Sequence, residues 1–391
     1  MGIWLLEALR DRVHRLSDPR ARAEGQLLLV PRPHRQPSRG AAPVADRHGL
    51  SVKAGALVVI AAALASAASA SSARDRFFEH VLVTDRTDGQ LVNAWGLAAG
   101  PSGPWWVANE ARSSSTLYAG DGRKQALTVA VPGGPTGVVF NGGQGFVVRG
   151  AGSAGPARFI YACEDGTIKG WSPTVPRGWS TEAQVAVDEG RSAAIFRGLA
   201  LAGGRLYATD FHNGRVLVYD SQWRHVVTRG AFVDRTIPEW YAPFGIQAVG
   251  ARLFVTYAWR APVNGNDGPT GGYVDEFDLE GRLVARVGRM KWLDEPWGVA
   301  LAPEGFGRFG GDLLVANFGS GRIDVYARDG RRWWLSTQLP VTIPGLWGIA
   351  FGQGGLSGAR TTLFYAAGPH RWRGATEVDV HGVLGSIAPA D

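Results

Sequence analysis

Six short stretches of this sequence share one pattern: a bulky or polar residue, a glycine, then an apolar run. They are "AWGLAA" at 94–99, "PTGVVF" at 135–140, "FRGLAL" at 196–201, "PFGIQA" at 243–248, "PWGVAL" at 296–301 and "LWGIAF" at 346–351. Their glycines, Gly96, Gly137, Gly198, Gly245, Gly298 and Gly348, are separated by 41, 61, 47, 53 and 50 residues. A repeat of that period marks a propeller or a similar array. Each unit continues with a second strand: "WWVAN", "FIYAC", "RLYATD", "RLFVTYA", "DLLVAN" and "TLFYAA". A third strand follows in each. Asp-Gly at 121–122 and 329–330 and Glu-Gly at 280–281 then read as hairpin turns into a fourth, because glycine takes a positive φ at little cost.

Six units of four strands predict an all-β fold, a six-bladed β-propeller over residues 76–391. With 55 glycines, 22 prolines and 45% apolar residues, the chain has the turn content and the core for it. The last unit lacks an evident fourth strand, while "RFFEHVLVTD" at 76–85 is a strand without a unit. Pairing the two closes the ring and removes an open edge. Glycine belongs where six inner strands crowd an axis, since any side chain would clash there. The residue before it, Trp95, Phe244, Trp297 or Trp347, then either wedges between blades or forms an aromatic floor for a ligand.

Residues 54–70, "AGALVVIAAALASAASA", are uncharged and apolar and end in Ala68-Ser69-Ala70. This reads as a signal peptide cleaved after Ala70, with export to the periplasm or the exterior. The alternative reading is a membrane anchor, for which the run is short and alanine-rich. Residues 1–53 read as an Arg- and Pro-rich leader without structure; a start at Val52, through a valine codon, would remove most of it. That leader carries 10 Lys+Arg and 5 Asp+Glu, so +5 of the whole-chain +7 lies there and +2 remains for 54–391. A near-neutral body excludes a nucleic-acid partner. Cys163 is the single cysteine, which excludes an intrachain disulfide and a cysteine-based zinc cluster and suits a buried, inert thiol.

In this topology the residues that open the inner strand and close the second converge on one mouth of the channel. Asn93, Asn109, Asp210 and Asn317 bring oxygen ligands there, suited to Ca²⁺ or, equally, to capping turns. Arg197 and His212 add a guanidinium and an imidazole; beside a polarised ester or lactone, His212 could serve as a general base. Glu164 and Asp165 read as an ordinary hairpin turn. No phosphate loop, metalloprotease helix or nucleophile elbow is present.

The segments "LVNAWGLA", "EDGTIKGW", "LYATDFHNGRVLVYD", "GAFVDRTIPEWYAPFGIQ", "EPWGVALAPEGFGRFGGDLLVANFGSGRIDVYARDG" and "LFYAAGP" resemble an uncharacterised family of exported bacterial proteins. That resemblance covers about 77–387 and implies an NHL-like six-bladed propeller. Some members carry a PEP-type sorting tail, whereas this chain ends in "SIAPAD". A more distant likeness is to the calcium-dependent lactonases of the gluconolactonase and senescence-marker type. It implies a calcium site with Asn109, Asp210 and Asn317 in the Asn and Asp parts and Asn93 where a Glu is expected. Two functions follow as expectations. One is a monomeric exported binding or scaffold module for a small molecule, a cell-surface polymer or a protein, with the 260–272 loop as part of its surface. The other is a metal-assisted hydrolase or lyase of the lactonase type. Whether the chain is an enzyme stays open.

Overall fold

The computed structural model describes residues 76–260, 271–373 and 376–390. The leader, the apolar segment at 54–70 and most of the 260–272 loop lie outside them. The described chain is six antiparallel sheets around an axis, with two added hairpins, Val147–Gly150 with Ser153–Pro156 and His370–Arg373 with Thr376–Val380. The inner strands are Ala94–Ala99, Pro135–Phe140, Phe196–Ala202, Tyr241–Val249, Pro296–Leu301 and Leu346–Phe351, the six segments of the repeat. Each pairs antiparallel with its second strand: Trp105–Asn109, Phe159–Cys163, Arg205–Asp210, Arg252–Trp259, Leu313–Asn317 and Leu363–Ala367.

The glycines explain the closure. A Cβ on Gly96 would lie 2.6 Å from Thr136 O, one on Gly137 2.7 Å from Leu199 N, and one on Gly198 2.9 Å from Ile246 N. Gly245 would meet Trp297 O at 2.1 Å, Gly298 would meet Trp347 O at 2.5 Å, and Gly348 returns to Trp95 O at 2.6 Å. Each inner strand thus lies against the backbone of the next, and the sixth lies against the first. In all six blades the ladder between inner and second strand skips at or just before this glycine; in blade one Ala94 pairs with Asn109 but Leu97 with Val107, and in blade three the skip falls at Arg197. A bulge re-aims the side chains it contains. It turns the residue before the glycine toward the axis.

The strand Phe77–Thr84 pairs with Val383–Pro389 and forms the outer strand of blade six. Phe77 anchors it in blade five, with its ring 5.0 Å from Phe306 and 5.6 Å from Phe309. The ring therefore closes between the two ends of the described chain, as the sequence predicts. Blade three departs from the four-strand expectation. Its sheet has three strands, ending in Arg215–Tyr219. A fourth begins as the Tyr219–His225 bridge and stops there. Trp223 is drawn away to blade two, donating Nε1 to Val147 O at 3.0 Å and meeting Phe146 edge-on at 4.9 Å. Phe232, at φ 57°, then turns the chain back into the core between blades three and four.

A close backbone approach is the least forgiving place for a methyl group. Gly245→Ala should cost about 3 kcal/mol, the upper end for overpacking. Gly178→Ala should be neutral, because nothing lies within 4 Å of its Cβ position. Urea melts of the two variants check this; equal stability would show that the ring has slack at blade four.

Candidate functional site at the channel mouth

The re-aimed residues meet at the axis. Trp347 is sandwiched between Trp95, with centroids 3.5 Å apart and rings 16° from parallel, and Phe318, at 3.7 Å and 19°. Trp297 stands edge-on to both tryptophans, at 6.0 and 6.2 Å. Phe244 closes on Trp95 and Trp347 from a third side, and Phe211 closes on Phe244 at 5.1 Å. None of these six rings is more than 7% exposed. Trp95, Phe244, Trp297 and Trp347 are brought together as the sequence predicts, but they stack on one another and plug the mouth. Below them, among glycines of the ring, lies a cavity of about 10 Å³, room for about one water.

A second layer surrounds the plug, set by the residue after each closing position. The closing residues pair with the residue two before the ring glycine, so the next residues are Glu110, Glu164, Phe211, Ala258, Phe318 and Gly368. Phe211, Ala258 and Phe318 join the aromatic cluster, and a Cβ on Gly368 would sit 2.0 Å from Asn93 Oδ1. Glu110 and Glu164 bracket Gly134, with Oε1 of the first 3.3 Å and Cγ of the second 3.5 Å from its Cβ position. The sequence reading passed over Glu110 and placed Glu164 in a turn. What the two share is a register: each stands one residue past the strand partner of the residue two before its ring glycine, and only the sheet pairing reveals it.

Arg197 completes this acidic side. It is 6% exposed, pairs through Nη1 with Glu164 Oε1, and lays its guanidinium 5.2 Å from the Trp95 ring centre. Burial pushes its pKa down to about 10, and the Glu110 carboxylate opposes the fall. It remains a cation at neutral pH. Its carbonyl accepts Trp297 Nε1 at 3.1 Å, which locks the plug to blade three. His212 lies on the same rim but is exposed, and its carbonyl accepts Arg260 Nη1.

The four proposed calcium ligands are spent elsewhere. Asp210 is fully buried and accepts Asn213 Nδ2 at 2.8 Å and Arg215 Nε at 3.0 Å. Asn317 Oδ1 accepts the Asp294 amide at 2.9 Å, and Nδ2 donates to Asp324 Oδ2 at 3.1 Å. Burial raises Asp324 to about 6 against the bonds from Gln338 and Asn317. Asn93, at φ 48°, donates to Glu110 Oε2 at 2.7 Å and accepts Trp347 Nε1 at 3.2 Å. Asn109 donates to Thr116 Oγ1 at 2.9 Å, and its Oδ1, buried, is the one oxygen of the set with no partner. Four of the five side-chain oxygens in this set already accept hydrogen bonds, those of Asp210 and Asn317 within their own blades and that of Asn93 from Trp347 of blade six, and Arg197 places a positive charge in the mouth. These residues do not fit a calcium ion. Among the described residues no group of three or more His, Cys, Asp and Glu is placed to hold a metal. Cys163 is buried with its thiol pushed up to about 12 by burial, and Asp165 accepts the Thr167 amide at 3.0 Å in its hairpin turn.

Comparison with known proteins puts this geometry in a family. No family model matches the chain. It is 32% identical over 282 residues to "Uncharacterized protein R648" of Acanthamoeba polyphaga mimivirus, covering 68% of this chain and 69% of that protein. To "Uncharacterized protein L690" of the same virus it is 30% identical over 281 residues, covering 67% and 74%. The chain belongs to the family of these mimivirus proteins. These two relatives are viral and lend no support to the exported bacterial origin that the sequence resemblance implied. Among solved structures, a structural genomics protein of unknown function from Bacteroides thetaiotaomicron is 11% identical with TM-score 0.50, covering 80% of this chain and 72% of that one. The soluble aldose sugar dehydrogenase of Escherichia coli is 13% identical with TM-score 0.49, covering 80% and 100%. At these identities the likeness concerns the fold alone.

Melting of the full chain should give the same midpoint in EDTA and in excess Ca²⁺. An upward shift with Ca²⁺ that vanishes in Asp210→Ala would overturn this, since a ligand at a thousandfold over its Kd stabilises by about 4 kcal/mol.

Proposed function

We propose that the chain is an exported binding or scaffold module that recognises its ligand with the rim of the channel mouth. One observation carries this reading. The axis is plugged by aromatic rings above a cavity of about 10 Å³, far below the roughly 300 Å³ a small-molecule pocket needs, while charged groups crowd the rim. Chemistry deep in the channel has no space, whereas contact with a polymer, a protein or the end of a small molecule at the rim has. The closed ring supports a monomer. Among the described residues no helix is long and apolar enough to cross a membrane. The alternative, a lactonase-type hydrolase or lyase with Arg197 and His212 as catalytic residues, has the unpartnered Asn109 Oδ1 in its favour. It lacks a vacant set of ligands around that atom.

The rim reading predicts which surface matters. Retention of the labelled full chain on isolated cell-envelope polysaccharide and protein fractions should fall about tenfold in Glu110→Gln/Glu164→Gln, a loss of about 1.4 kcal/mol. Phe78→Ser, on the outer edge of blade six, should leave it unchanged. Equal retention of all three proteins would place recognition away from the mouth.

Export rests on the apolar run and the Ala68-Ser69-Ala70 pattern. Mass spectrometry of the mature protein should then find Ser71 at its N-terminus. Peptides from 1–50 in that protein would refute both cleavage and the internal start.

A further inference from the structure

The mouth contains two buried donors that the protein leaves without acceptors. Arg197 uses Nη1 for Glu164, but its Nε is shut from solvent and has no partner. Trp95, whose ring faces that guanidinium, has its Nε1 in the same condition. The contrast with its neighbours is informative: Trp297 Nε1 donates to Arg197 O at 3.1 Å and Trp347 Nε1 to Asn93 Oδ1 at 3.2 Å. Buried donors without acceptors are rare and costly in folded proteins. What this corner is short of is an oxygen lone pair.

Charge narrows the kind of oxygen. Glu110 and Glu164 face each other across Gly134, and with Arg197 the local sum is −1. A ligand carboxylate or phosphate would add negative charge in a partly desolvated place, where repulsion is strong. The two carboxylates can each accept a further donor from the rim; Glu110 is half-buried and engages Asn93 through Oε2. A hydroxyl group accepts and donates at once. Two neighbouring hydroxyls on one ring can serve the guanidinium and a carboxylate together.

We propose that the rim binds a neutral sugar residue through a pair of adjacent hydroxyls, one accepting from Arg197 and the other donating to Glu110 or Glu164. The inference rests on the rim-binding reading and names its ligand class. The Arg197 guanidinium makes one hydrogen bond, to Glu164, and otherwise rests on the Trp95 and Phe211 rings, so turning about that bond brings its unused edge to the ligand. The tryptophans lie shut beneath, so recognition is by hydrogen bonds at the rim and not by ring stacking. With room for one water below, the sugar is the exposed end of a glycan and does not enter the channel.

Calorimetric titration of the full chain with glucose, galactose and mannose, each beside its uronate and its amino sugar, tests this. At least one neutral hexose should bind saturably at millimolar concentration, and its uronate at least tenfold more weakly. Glu110→Gln and Arg197→Lys should each weaken the neutral sugar tenfold or more. Glu110→Gln is near-isosteric and should melt with the parent, so it keeps the test valid if Arg197→Lys unfolds. Tighter binding of the uronate or the amino sugar, still weakened by these variants, would overturn the sugar class and leave the rim reading standing. Hexose binding indifferent to both variants would overturn the two together. No binding by any hexose would overturn the sugar inference, and envelope retention still sensitive to Glu110 and Glu164 would leave the rim reading intact.

Discussion

The contact between a ring glycine and the backbone of the next inner strand is the constraint on which this structure turns. It recurs six times and the sixth contact returns to the first, from Gly348 to Trp95 O. Inner strands this close leave no room for a side chain at the glycine, and the ladder gives way there by a bulge in every blade. The bulge in turn delivers the preceding residue to the axis. One requirement of packing therefore creates both the narrow channel and the plug that seals it.

The plug leaves the mouth, and not the channel, as the accessible end of the axis. Trp95, Trp347 and Phe318 form a stack whose burial contributes to holding blades one, five and six together. Around it the rim is asymmetric. Blades one to three supply Glu110, Glu164 and Arg197, while blades three to five supply Phe211, Ala258 and Phe318 at the corresponding second-strand position. A polar side beside an apolar one on a rigid ring suits oriented contact with a ligand end.

The polar residues that look most like metal ligands are in this fold the fasteners of its corners. Asp210 and Asn317 each stand at the end of a second strand, where the chain turns and several N–H groups lose their ladder partners. A short side chain with free lone pairs satisfies them, which is the ordinary reason for Asp and Asn at such turns. Asn93 does related work between Glu110 and Trp347.

Much of the fold was legible in the residue order, because a glycine needed at one depth of every blade recurs as a period and the alternation of strands and Gly turns follows it. The six inner and six second strands, and the closure of blade six by Phe77–Thr84, could be read that way. So could the meeting of Trp95, Phe244, Trp297 and Trp347 at one mouth. The residue order could not tell a floor from a plug, since that depends on ring angles and separations across the axis. It also could not pick out Glu110 and Glu164, whose meeting depends on which residue lies one past the register of two different blades. The missing outer strand of blade three was hidden for a similar reason: Trp223 leaves its blade to bond Val147 of blade two, far away in the chain. Local pattern determines which segments become strands and where glycine must stand. Contacts between blades, made by residues far apart in the chain, decide which side chains share the mouth and which hydrogen bonds they have left to offer.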